Sequence, residues 1–179
     1  MQKNIHGIIV ECLGGNIAAQ SDADAVVNAA NAQLRIGGGV AGAIHRAAGP
    51  GLEIECRPLA PIKPGEAVIT SGQGLPNAYC IHCLGPIYGR DKPETTLLSS
   101  CYRKALALAE KHKIKIIAFP AISAGAFGYP LEEAAKVALK TVIEEASQLQ
   151  QVKKIRFVLY GLKSLEIHQK ILSDLTSNS

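Results

Sequence analysis

Short apolar runs alternate with amphipathic stretches of helical length along most of the chain, and this alternation restricts the fold more than any other feature. Strand-like runs are expected at residues 7–12, 25–28, 67–70, 79–83, 114–119 and 155–160. The last two are almost continuously apolar, the pattern of strands covered on both faces. Stripes at helical spacing follow them: Leu98, Cys101, Ala105 and Leu108; Leu131, Ala135, Ala138 and Val142; Ile167, Ile171 and Leu175. Pro130 occupies what reads as the first helical position of the second stripe, with Glu132 and Glu133 where the helix dipole favours acids. The expectation is an α/β fold of three layers, α/β/α, around a mixed, mainly parallel sheet of about six strands. In such sheets ligands sit beyond the carboxyl ends of the strands.

At 179 residues, of which 47% are hydrophobic, the sequence fits a single domain, residues 1–179, with a sizeable core. Only the tail from about Ser173 is expected to fray. Aromatic residues make up 4% and tryptophan is absent, so any aromatic in a loop is informative. The formal charge of +4 favours an anionic ligand but lacks the basic clusters of a nucleic-acid binder. Cys12, Cys56, Cys80, Cys83 and Cys101 are odd in number and lie in strand-like or helix-like settings, which suits free thiols in a reducing, cytoplasmic compartment. No stretch reads as a membrane span, and the N-terminus has no signal-peptide pattern.

Two glycine-rich loops follow expected strand ends. One runs Asn28-Ala29-Ala30-Asn31, then Gly37-Gly38-Gly39-Val40, into a helical pattern from Ala41. The other runs Ser123-Ala124-Gly125-Ala126-Phe127-Gly128-Tyr129-Pro130. A strand that ends in glycines and opens a helix presents free backbone N–H groups to an anion. One such loop could simply be a tight turn; two on one rim point to a diphosphate. Cys80-Ile81-His82-Cys83 invites a metal reading, but strand alternation turns Cys83 away from Cys80 and His82. A core strand is the expectation there, with no metal and no cofactor.

Several separated motifs resemble the macro domain family. They are Val26-Val27-Asn28-Ala29-Ala30-Asn31, the Gly37–Val40 loop, residues 43–50 (Ala-Ile-His-Arg-Ala-Ala-Gly-Pro), Ile81-His82 with Gly85-Pro86-Ile87-Tyr88, and residues 118–125. The resemblance runs from about Gly14 to the last helix. It implies binding of ADP-ribose, free or attached to protein, and in some members hydrolysis of ADP-ribosyl esters or of O-acetyl-ADP-ribose. By it, Gly37, Gly38, Gly39, Val40 and Ala41 meet the phosphates and distal ribose from one side. Ser123, Ala124, Gly125, Ala126 and Phe127 clasp the pyrophosphate from the other. Asn31 matches an asparagine on a distal-ribose hydroxyl, and Asn28 one that braces the loop. Tyr160 matches an aromatic that stacks on adenine, the alternative being a core aromatic that closes the sheet.

Asn16, followed by Ile17 in the same base-binding turn, stands where the family usually has an aspartate that accepts from the adenine amino group. An asparagine there keeps a carbonyl acceptor and loses the charge; it either recognises the base or only makes a turn. Ala41 stands where MacroD-type hydrolases carry an aspartate beside the attacking water. Such a carboxylate is worth roughly 10²–10⁴ in rate, so its loss favours a silent ADP-ribose reader. The segment Gly37-Gly38-Gly39-Val40-Ala41-Gly42 is also similar to coronaviral macro domains, which lack that aspartate and still hydrolyse mono-ADP-ribosyl esters. That similarity implies that the substrate phosphate and a backbone carbonyl hold the water, with Asn31, Gly39 and Phe127 as the catalytic set. His45, four residues after Ala41 on the same helix face, reads as a structural histidine.

Overall fold

The computed structural model describes residues 1–177. Seven strands form one sheet in the order β1-β2-β7-β6-β3-β5-β4. They are β1 (Gln2–Ile5), β2 (Ile8–Gly14), β3 (Ala25–Ala29), β4 (Ala67–Ser71), β5 (Tyr79–Cys83), β6 (Ile116–Phe119) and β7 (Lys154–Leu159). The five central strands, from β2 across to β5, run parallel, while β1 and β4 pair antiparallel at the edges. The expected α/β architecture and mixed sheet are therefore present, with one strand more than the sequence led us to count. The additional strand is β1, whose residues alternate between exposed and half-buried. An edge strand with one partner buries too little to carry an apolar run.

The helices are α1 (Gly39–Ala48), α2 (Gly51–Cys56), α3 (Glu94–Lys111), α4 (Leu131–Ala146) and α5 (Leu162–Thr176). Period-two alternation in the central strands feeds two separate cores. Val27, Ile81 and Phe157 point into a cluster with α3, α4 and α5. Val26, Cys80, Ala118 and Val158 point to the other face, against Ile44 of α1 and Leu52 of α2. Sheet strands buried on both faces explain the near-continuous apolar runs of the sequence. Within the first cluster Tyr102, Phe119 and Phe157 pack with ring centroids 5.1, 5.7 and 6.1 Å apart. Each aromatic pair contributes about 0.5–1.5 kcal/mol beyond its buried area.

Two details differ from expectation. Pro130 sits one position earlier than expected, as the N-cap of α4, and its carbonyl accepts from Ala134 N at 2.9 Å. Helix α5 continues to Thr176, past Ser173 where fraying was expected; it buries Ile171 of the expected stripe together with Leu172, while Leu175 of that stripe is exposed. Residues 178 and 179 of that expected tail lie outside the described residues.

Candidate functional site

Because the five central strands are parallel, their carboxyl ends share one rim, and the loops that leave β2, β3, β6 and β7 all open there. A cleft runs along this rim as two connected chambers. The wider one, of about 950 Å³, is walled by Gly14–Ile17, the start of α1, Ala121, Ala124 and Gly125, and the β7–α5 junction at Val158–Leu162, Ser164 and Leu165. The narrower one, of about 350 Å³, lies between Ala29–Asn31 with Gly37–Ala41 on one side and Ile122, Ser123 and Gly125–Phe127 on the other. Gly39, Val40, Ala121 and Gly125 border both.

The narrow chamber is lined mostly by glycine and alanine. Helix α1 is capped by Gly38 with φ −82° and ψ 177°, and no side chain caps it among the described residues. Its first intrahelical bond is Gly42 N to Gly38 O at 3.2 Å, so the N–H groups of Gly39, Val40 and Ala41 have no helical acceptor. No acid sits in that first turn, which leaves the positive end of the helix dipole unneutralised. A Cβ added to Gly38 or Gly125 would meet no described atom within 4 Å. Both positions therefore face open cleft. Gly42 is different, since a Cβ there would strike the Gly37 carbonyl, and only glycine lets the loop fold back onto α1.

The opposite wall is held by Ser123, whose φ of 64° places a non-glycine residue in the left-handed region. Its carbonyl accepts from Tyr129 N at 3.0 Å, closing the loop, and Ile122 N donates to the buried Tyr102 hydroxyl at 3.4 Å. The Ser123 Oγ is buried and makes no hydrogen bond among the described residues. It packs over Gly85, where any Cβ would collide with it. Phe127 is half-buried, and its carbonyl accepts from Tyr88 N at 2.9 Å.

The sequence-derived residues converge with one exception. Asn16, Ile17 and Tyr160 line the wide chamber; Asn31, Gly37, Gly38, Ala41, Ser123, Ala126 and Phe127 line the narrow one; Gly39, Val40 and Gly125 lie between, and Ala124 borders the wide side. The exception is Asn28, which is wholly buried and lines neither chamber. Its Nδ2 donates to His82 Nδ1 at 3.1 Å, so the imidazole proton lies on Nε2, within 3.0 Å of Thr70 Oγ1 and 3.6 Å of Cys56 Sγ. Burial, with some help from nearby His45, pushes the His82 pKa down to about 4. Asn28 and His82 thus form a neutral, buried polar pair across β3 and β5. His45, on α1, is buried, its pKa is lowered by that burial, and its Nε2 makes no hydrogen bond among the described residues.

Asn31 has a second task that the sequence did not reveal. Its Oδ1 accepts from Arg35 N at 3.0 Å and its Nδ2 donates to Arg35 O at 2.8 Å. The side chain shapes the turn into the glycine loop and retains one N–H and one lone pair for a ligand. Tyr160 is 94% exposed, so it is no core aromatic; the strand ends at Leu159, and Gly161 at φ 93° swings the chain into α5. Asn16 caps the short 3₁₀ turn Ile17–Ala19, its Oδ1 accepting from Ala18 N at 2.9 Å. Arg156 secures this wall: it is buried and bonds Asp22 at 2.7 Å, Glu11 at 2.6 Å and Gln20 at 3.1 Å. Sequence reasoning quoted Gly85 only as part of a motif and did not place it in the site, and it missed Leu162 and Leu165; only the Gly161 before a helical stripe hinted at the last two.

No helix among the described residues is long and apolar enough to cross a membrane. All five cysteines are buried and free.

Comparison with known proteins agrees with this architecture. Residues 27–138 match the family model described as Macro domain. A macro domain-containing protein of Chlorobaculum tepidum is 48% identical over 151 residues, covering 84% of this chain and 88% of its relative. An O-acetyl-ADP-ribose deacetylase of Klebsiella pneumoniae is 41% identical over 157 residues, covering 85% and 90%. Among solved structures, the Oceanobacillus iheyensis macrodomain with ADP superposes with a TM-score of 0.95 at 38% identity, covering 100% of this chain and 97% of that one. With its motifs in order, its mixed sheet opening on a two-chambered rim, and relatives aligned over most of their length, the chain belongs to the macro domain family.

Proposed function

We propose that the protein, acting as one macro domain, binds ADP-ribose, free or protein-linked, and hydrolyses ADP-ribosyl esters or O-acetyl-ADP-ribose by water attack assisted by the substrate. The observation that carries this reading is the narrow chamber between the uncapped α1 N-terminus and the Ser123–Phe127 loop, continuous with a wide chamber that ends at an exposed tyrosine. A diphosphate fits the first and a base the second. Loop N–H groups would meet the phosphates without a Cβ in the way. Asn31 would orient the distal ribose with its remaining N–H and lone pair, Phe127 would pack on it, and the Gly39 backbone would help the substrate phosphate hold the water. Support for binding comes from a Trypanosoma brucei macrodomain solved in complex with ADP-ribose, 34% identical with a TM-score of 0.83. Support for hydrolysis comes from the Klebsiella deacetylase. The five buried free thiols support a cytoplasmic setting.

One observation favours a second reading, a reader without turnover. Ala41 lines the narrow chamber with a methyl group, so no carboxylate from this position can take a proton from water. The test is release of ADP-ribose from a glutamate- or aspartate-linked substrate and of acetate from O-acetyl-ADP-ribose, at protein concentrations that saturate binding. Slow turnover is expected, and Ala41→Asp should raise it. No release over hours from the unmodified protein leaves the reader.

A further inference from the structure

The amino ends of the parallel strands form a second rim, at the opposite end of the sheet from the cleft. Two loops meet there, with Lys153 N and Lys154 N both donating to the Lys115 carbonyl, at 2.8 and 3.0 Å. One loop, Glu110 to Lys115, and the other, Gln150 to Lys154, together hold five lysines and one glutamate. Their net charge of +4 equals the formal excess of the whole chain, so the remaining residues balance. Lys111, Lys113, Lys115 and Lys153 are exposed and make no ion pair among the described residues, while Lys154 reaches Glu11 at 3.9 Å. Acids at this rim are already spent. Glu110 accepts from the backbone N–H groups of Gln150, Gln151 and Val152, Asp24 accepts from those of Lys115 and Ile116, and Glu11 is held by Arg156 at 2.6 Å.

The strand order sets these groups in a row. Lys154 opens β7 just after Lys153, Lys115 precedes β6, Asp24 precedes β3, and Tyr79 opens β5. Four neighbouring strands at about 4.8 Å per step make the row roughly 14 Å long. At its β5 end the half-buried Tyr79 ring tilts against His112, which lies between Lys111 and Lys113, with centroids 5.3 Å apart. Ammonium groups meet phosphates as point charges, and a ring pair beside them gives a base a surface to stack on. An acidic polypeptide would use the lysines and leave the rings idle. We propose that this rim binds single-stranded nucleic acid, with backbone phosphates on Lys113, Lys115 and Lys153 and a base against Tyr79 and His112. Each loop alone is a short basic stretch; folding joins them into one surface. It is separate from the cleft and does not depend on the function proposed there.

Fluorescence anisotropy of the full chain with a short labelled oligothymidylate, titrated over a range of salt concentrations, tests this. Binding should weaken with salt along a log–log slope of about −2, as expected for three phosphates of a single strand. Lys113→Gln, Lys115→Gln and Lys153→Gln together should weaken it about tenfold or more at low salt and flatten the slope, with the melting temperature unchanged. His112→Ala should cost about fivefold and leave the slope as it was. No binding at low salt, binding that survives the triple substitution, or displacement of the oligonucleotide by ADP-ribose overturns the proposal. An affinity unmoved by His112→Ala, or tighter binding of a polyglutamate peptide of equal charge, overturns the choice of nucleic acid and makes the rim a docking surface for acidic protein.

Discussion

The two chambers of the cleft are built by different means. The narrow one is lined mostly by glycine and alanine, with an uncapped helix end on one side and a strained loop on the other. The wide one is made of side chains: Tyr160, Leu162, Leu165 and the amide of Asn16, spread over the ends of β2 and β7. Backbone N–H groups present the same chemistry whatever the neighbouring residues, so the narrow chamber suits a part that every ligand of the class shares. Side chains can be exchanged one at a time, so the wide chamber is where specificity can change while the fold stays fixed.

The largest expected effect comes from adding side chains to the narrow chamber. Gly38→Glu and Gly125→Glu each place bulk and negative charge where nothing described lies within 4 Å and where φ is not left-handed. Binding of ADP-ribose should fall by about a hundredfold or more, with the melting temperature nearly unchanged. Normal binding by either variant would mean that its loop does not hold the phosphates.

Asn31→Ala follows. Losing one ribose contact costs about 0.5–1.5 kcal/mol in affinity, and misorienting the reacting carbon can cost about a hundredfold in rate. Steady-state kinetics beside calorimetry should therefore show turnover damaged more than binding. Because Asn31 also ties down Arg35, a melting temperature separates this from loss of the turn itself. Equal losses in rate and affinity would make Asn31 part of the binding surface only.

In the wide chamber, Tyr160→Ala removes a ring that is 94% exposed. Stability should be untouched while affinity drops about tenfold, within the usual range for base stacking. Unchanged affinity would remove the stacking role.

A pH effect should act through the buried His82. His82 has its pKa lowered to about 4 in the fold, against about 6.5 when unfolded. The unfolded chain therefore binds the extra proton, and the neutral His82 stabilises the fold fully above about pH 6.5. That contribution, about 3 kcal/mol, is lost as pH falls from 6.5 through 4. Protonating Nδ1 would also set it against the Asn28 amide. Urea unfolding from pH 7 to 4 measures this, with His82→Gln flattening the slope.

What could be read in advance divides along the same line. The glycine loops, the strands and the stripes of α3, α4 and α5 were legible because residue type alone dictates backbone access and periodic burial. Edge strand β1 was not, since Gln2-Lys3-Asn4-Ile5 has little to bury, nor was α2, only six residues long. Asn31 and Asn16 were legible as polar residues at a candidate site. Their hydrogen bonds to Arg35 and Ala18 depend on turn geometry that residue types do not encode. Tyr160 read ambiguously because the run before it is buried; only the turn at Gly161 takes it out of the core.

The central claim is that the two chambers act as one site, joined through a diphosphate. Calorimetry of ADP-ribose against AMP tests it most directly, since AMP fills the wide chamber and leaves the narrow one without its diphosphate and distal ribose. We predict micromolar binding of ADP-ribose, about −8 kcal/mol, and clearly weaker binding of AMP. AMP binding as tightly as ADP-ribose would contradict the account.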